Sequence, residues 1–253
     1  MGRFWAGLCG AGGVTLLLTN APTAPMGAAL QSALGWGGLA LGGAGLQPRP
    51  LRFALAISPP AWRQPWGLTA LWVIGLIPLN FGLTALASAA LASPVGPRSA
   101  IQQMVPHLSL PELIQAFAAL ALGPAISEEL LFRGLLIGIL ASSALKQRGA
   151  IVVSAVMFGL AHVDPVQASI STVLGLYLGT LTWAAGSVRP AILAHALNNG
   201  LILGVIWGES AGFGPPSSPG MIGLLGAVCL GGALWSLASR IREGSNDSVP
   251  PCD

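Results

Sequence analysis

Charge is what this sequence lacks most. Only 8% of its residues are Asp, Glu, Lys or Arg, against roughly 25% in an ordinary soluble domain. A water-soluble protein of 253 residues would have too few charged side chains to cover its surface, so a soluble globular fold is excluded. Cysteine is scarce too. Cys9, Cys229 and Cys252 lie far apart and show no CxxC spacing, which argues against a disulfide framework. The eleven Lys and Arg residues form no cluster resembling a phosphate-binding surface, and no nucleic-acid partner is expected.

Apolar residues make up 53% of the chain, a composition that lipid tolerates as a solvent. The 35 glycines and 20 prolines follow no fixed period, and apolar runs of spanning length lie between them, so disorder is the weaker reading. The expected fold is an all-α, polytopic transmembrane bundle of about eight spans. Searching for apolar stretches bounded by charge, proline or turn clusters places them near 5–19, 26–46, 66–92, 111–145, 150–163, 166–187, 190–207 and 221–241. The stretch 111–145 is too long for one upright crossing; it either tilts or begins with an interfacial turn near Glu112 before Pro124 bends it. The N-terminal apolar run is read as a retained first span, since Pro25 follows its small-residue exit. Residues 1–253 are read as a single membrane-embedded domain, because no loop is long enough for a soluble one.

Eight alternating crossings put Arg3, Arg49, Arg52, Arg63, Lys146, Arg148, Arg189, Arg240 and Arg242 on one side and Arg98 alone on the other. Positive charge gathers on cytoplasmic loops, so both termini are expected in the cytoplasm. Small-xxx-small pairs such as Gly134/Gly138, Gly175/Gly179 and Gly200/Gly204 fit closely packed helices.

An ionisable group inside a span costs roughly 2.5–3.5 kcal/mol on the insertion scale, and each one calls for a reason. Those left after the loop charges are removed are Glu128, Glu129, Arg133, His162 and His195, joined by the amides Asn198 and Asn199. Glu129 and Arg133, four apart on a helix, can form an ion pair, which leaves Glu128, about 100° round the helix, without a partner. His195 and Asn199 share a face, from which Asn198 is turned away, and Phe158 shares a face with His162. Each feature has a structural alternative: a buried ion pair that only specifies packing, a satisfied core histidine, an interhelical hydrogen bond. Their co-occurrence on three expected helices favours one polar site.

The segment Ser127-Glu-Glu-Leu-Leu-Phe-Arg133 resembles the EExxxR motif of the CAAX-protease (CPBP, or Abi) family of intramembrane peptidases. Phe158-Gly-Leu-Ala-His162 resembles its FxxxH motif and His195-Ala-Leu-Asn-Asn199 its HxxxN motif, in the family's order and within a motif-bearing core of about 111–207. The resemblance implies an eight-helix membrane peptidase acting on a membrane-associated protein or peptide. It implies that Glu128 and His162 activate water, that His195 and Asn199 stabilise the oxyanion, and that Glu129 and Arg133 fix the helix and orient Glu128. An acid in apolar surroundings can carry a proton from water to a leaving amine, and an imidazole and an amide are suitable donors to developing negative charge. Family members are described both as metalloproteases and as metal-independent glutamate proteases. Glu128, His162 and His195 could therefore be zinc ligands; both readings stay open, the HxxxN pair favouring the metal-independent one because it suits an oxyanion site. A proton or ion relay in a transporter and a catalytically silent scaffold are the competing classes. Straight helices would set His195 and Glu128 at different depths, so the peptidase reading requires tilt or an overlong helix.

Overall fold

The computed structural model describes residues 24–48, 50–59, 66–91, 101, 104–162 and 164–210. Among them no strand occurs. The longer helices are α1 (Ala24–Gly45), α2 (Trp66–Ala90), α3 (Leu110–Ala141), α4 (Lys146–Leu160), α5 (Pro165–Ala185) and α6 (Arg189–Ser210). A single helical turn, Leu51–Ala54, stands between α1 and α2.

Among the described residues, four helices are long and apolar enough to cross a membrane: Thr69–Ala90 within α2, then α3, α5 and α6. Large apolar side chains such as Leu71, Ile74 and Leu86 point outward from α2, and Ile114 and Phe117 from α3. This suits lipid and not water, and the chain is an integral membrane protein. The expected count of about eight spans is not confirmed. The expected spans 5–19 and 221–241 lie outside the described residues. Helix α4 occupies the expected fifth position, but its 15 residues reach about 22 Å, short of the roughly 30 Å hydrocarbon core.

The two larger apolar clusters among the described residues hold the bundle together. Trp36, Ala40 and Ala44 of α1 pack with Leu55, with Leu131, Phe132 and Leu135 of α3, and with Phe158 of α4. Trp72, Leu76 and Leu79 of α2 pack with Leu174, Leu178 and Leu181 of α5 and Ala191 and Ala194 of α6. The site lies between them.

Helix α3 has the most unusual local structure. It starts on a cap in which the Glu112 carboxylate accepts the Ser109 N–H at 2.8 Å. From there it runs unbroken for 32 residues, widening to π-type turns over Phe117–Leu122 and Leu130–Leu136. The first wide segment ends just ahead of Pro124, whose ring and missing N–H would disrupt a regular α-helix. In the second, the Phe132 carbonyl accepts the Ser154 hydroxyl of α4 at 2.8 Å. Wide turns of this kind concentrate at functional sites, and these two flank the glutamates.

The depth problem posed by the sequence is resolved by the segment after α1. Leu55 is buried, and its carbonyl oxygen lies 2.5 Å from where a Cβ on Gly134 would sit, so only glycine permits this approach. The next residue, Ala56, accepts the Val188 N–H at 2.9 Å. Gly134 and Val188 are thereby held at one level. Glu128 precedes the first, and His195 follows the second, by just under two helical turns each. Helix α3 overshoots that level with Leu135–Ala141, the overlong helix that was required.

Candidate active site

Glu129 and Arg133 form the expected ion pair, 2.9 Å apart and almost completely buried. The same Glu129 oxygen, Oε1, also lies 2.8 Å from Nδ1 of His195, across from α3 to α6. A ring nitrogen facing a carboxylate that closely is a donor, so Nδ1 carries the hydrogen and Nε2 is turned toward the other glutamate. Glu129 thus reaches His195 across the bundle, a contact that spacing along one helix gives no information about. Arg133 Nε and Nη2 and Glu129 Oε2 have no hydrogen-bond partner among the described residues. The guanidinium instead lies over the Phe158 ring, 4.2 Å from its centroid, a contact that partly offsets the burial of charge.

Glu128 is partly exposed, at 16% of its side chain, and its Oε2 stands 4.0 Å from His195 Nε2. That is too long for a hydrogen bond. His162 follows the end of α4, where its Nδ1 is 3.0 Å from the Phe158 carbonyl oxygen. A carbonyl only accepts, so Nδ1 donates there and Nε2 keeps its lone pair free. Phe158 packs edge-on against both imidazoles, with centroids 5.2 Å from His162 and 6.1 Å from His195. This one ring spaces the two histidines and supports Arg133.

A cavity of about 360 Å³ opens between α2, α5 and α6, and His162, His195 and Asn199 all line it. Its remaining wall is mostly apolar, including Leu76, Phe81, Leu174, Leu178 and Ile202. The expectation for Asn198 is corrected. It does not turn away: it lines the cavity beside Asn199, and its Nδ2 donates to the Asn199 Oδ1 at 3.2 Å. Asn80, Gln167, Ser171 and Glu209 also line the cavity and were missed. Asn80 carried a visible signal, an amide inside the apolar run of α2.

Among the described residues, no three His, Cys, Asp or Glu side chains come together in a way that could hold a metal ion. Of the three residues that could serve as zinc ligands, His162 and His195 line the cavity, and Glu128 comes no nearer to His195 Nε2 than 4.0 Å; the chemistry derived below uses the chain's own groups.

Fold and site together define an integral membrane protein with an acid–imidazole centre beside a cavity within its helices. The family model for "Type II CAAX prenyl endopeptidase Rce1-like" matches residues 110–201, the stretch that carries all three motifs. Over this stretch the chain is similar to the CAAX-protease family, as its motifs suggested, and the match supports a membrane protease in that broad sense. No curated protein and no solved structure matches the chain.

Proposed function

We propose that this chain is an intramembrane endopeptidase that hydrolyses its substrate with a glutamate-activated water. Water lies between Glu128 and Nε2 of His162. The Glu128 carboxylate takes its proton as the oxygen attacks the scissile carbonyl. The resulting oxyanion receives hydrogen bonds from His195 Nε2–H and the Asn199 amide. Glu128 then delivers its proton to the leaving amine as the C–N bond breaks. The observation that carries this reading is the Arg133–Glu129–His195 chain, with contacts of 2.9 and 2.8 Å. A carboxylate on Nδ1 fixes the ring and offsets the charge of an imidazole that also donates at Nε2, the arrangement an oxyanion donor needs. Competing water is kept out by the apolar wall of the cavity.

The substrate is a membrane-associated protein or peptide, with a prenylated C-terminal peptide the first candidate because of the family's name. The test uses the purified full chain in lipid and quenched peptides made with and without a farnesylated cysteine. Glu128→Gln is expected to reduce cleavage about 10³-fold while the unfolding midpoint is retained. A well-folded Glu128→Gln protein cleaving at the wild-type rate would remove the basis of the mechanism. Because the donors do not converge on a metal geometry, cleavage is expected to continue at its original rate after dialysis against a zinc chelator.

A further inference from the structure

Asn80 belongs to α2, outside both the matched family segment and every motif, yet it is hydrogen-bonded into the site. Its Nδ2 donates to Asn198 Oδ1 at 3.1 Å, and Asn198 Nδ2 donates to Asn199 Oδ1 at 3.2 Å. All three amides line the cavity, and Asn80 and Asn198 are buried. The two ends of a carboxamide are alike in shape and opposite in hydrogen-bonding role. In a row of amides every joint needs a donor on one side and an acceptor on the other, so the setting of one end residue determines the whole row. With Asn80 donating, Asn198 must present its oxygen to Asn80 and its NH2 to Asn199. The oxygen of Asn199 is then occupied, and its NH2 is left for the cavity, one turn along α6 from His195.

We infer that Asn80 is a positioning residue which, through Asn198, keeps the donor end of Asn199 facing the reacting carbonyl. The inference rests on the peptidase reading above. Hydrogen-bonded amides can also simply join helices in a membrane, but Asn80–Asn198 alone would do that. The further bond to Asn199 links the joint to a group that lines the cavity.

The experiment uses the full chain in lipid nanodiscs, the quenched peptide cleaved fastest by the wild type, and a phosphinate analogue of that peptide as a tetrahedral mimic. Asn80→Ala is expected to lower kcat about tenfold, the scale of one hydrogen bond, with KM within about twofold. Phosphinate affinity should fall by the same factor as kcat, while affinity for the intact peptide, measured in a Glu128→Gln background, is unchanged. Asn80→Leu fills the same space without polar atoms and should lose as much as Asn80→Ala; it also decides the matter if the alanine variant does not fold. Wild-type kcat in Asn80→Leu would reveal a packing role and overturn the inference, as would equal losses of phosphinate and intact-peptide affinity. If Glu128→Gln is inactive and the Asn80 variants cleave normally, this inference alone fails. Activity in Glu128→Gln would instead count against the peptidase mechanism itself.

Discussion

Glu129 Oε1 serves two donors at once, Arg133 Nη1 and His195 Nδ1, so removing its charge should have two separable effects. Glu129→Gln leaves Arg133 buried without a counter-charge and is expected to destabilise the protein by about 3–5 kcal/mol, read as a lowered unfolding midpoint in detergent. The double variant Glu129→Leu, Arg133→Met removes both charges. It should recover most of that stability but not activity, because His195 loses its anchor in either case. Recovery of both stability and cleavage would mean that Glu129 serves packing alone. Among these residues four-residue spacing along one helix was a good guide, although it misplaced Asn198, which lies beside Asn199 on α6. The Glu129–Arg133 pair and the Phe158–His162 contact follow from four-residue spacing. The Glu129–His195 bond and the Asn80–Asn198 bond cross between helices, and no spacing rule reaches them.

Elements differ from expectation mainly in how α3 manages its length and its proline. The run of apolar residues revealed a helix too long for one crossing, but not its two π-type turns, in the second of which Ser154 of α4 donates to the Phe132 carbonyl. Ser154→Ala should cost about 1 kcal/mol, and a change well below that would mean the wide turn is self-sufficient. Small-residue pairs were only half informative. Gly134 is required by the Leu55 carbonyl, while Gly138 has nothing within 4 Å of an added Cβ. Gly134→Ala is therefore expected to destabilise by about 1–3 kcal/mol through forced displacement. Gly138→Ala should be neutral or stabilising by up to about 1 kcal/mol from helix propensity. Thermal unfolding of the two variants side by side checks both, and equal behaviour would contradict the close approach described here.

For the molecule as a whole, composition alone established the membrane environment, since nothing else accommodates so few charges. Orientation is a separate claim that rests on the basic loops. Arg148 and Asp164 are exposed near opposite ends of α4. In a background lacking the native cysteines, Asp164→Cys should react with an impermeant maleimide in intact cells. Arg148→Cys should react only after permeabilisation. The reverse pattern would invert the orientation and put the termini outside.

The contact of Leu55 and Ala56 with Gly134 and Val188 has a consequence for anyone dissecting this protein. A fragment trimmed to residues 110–201 would keep every motif and still lose the gauge that brings acid and imidazole level. Adding residues 50–57 back as a separate peptide would not replace it, since the preceding helix α1 is what presses that stretch into place. The smallest unit expected to cleave a peptide therefore begins well upstream of the first motif, and keeping the motif residues alone is expected to give an inactive fragment.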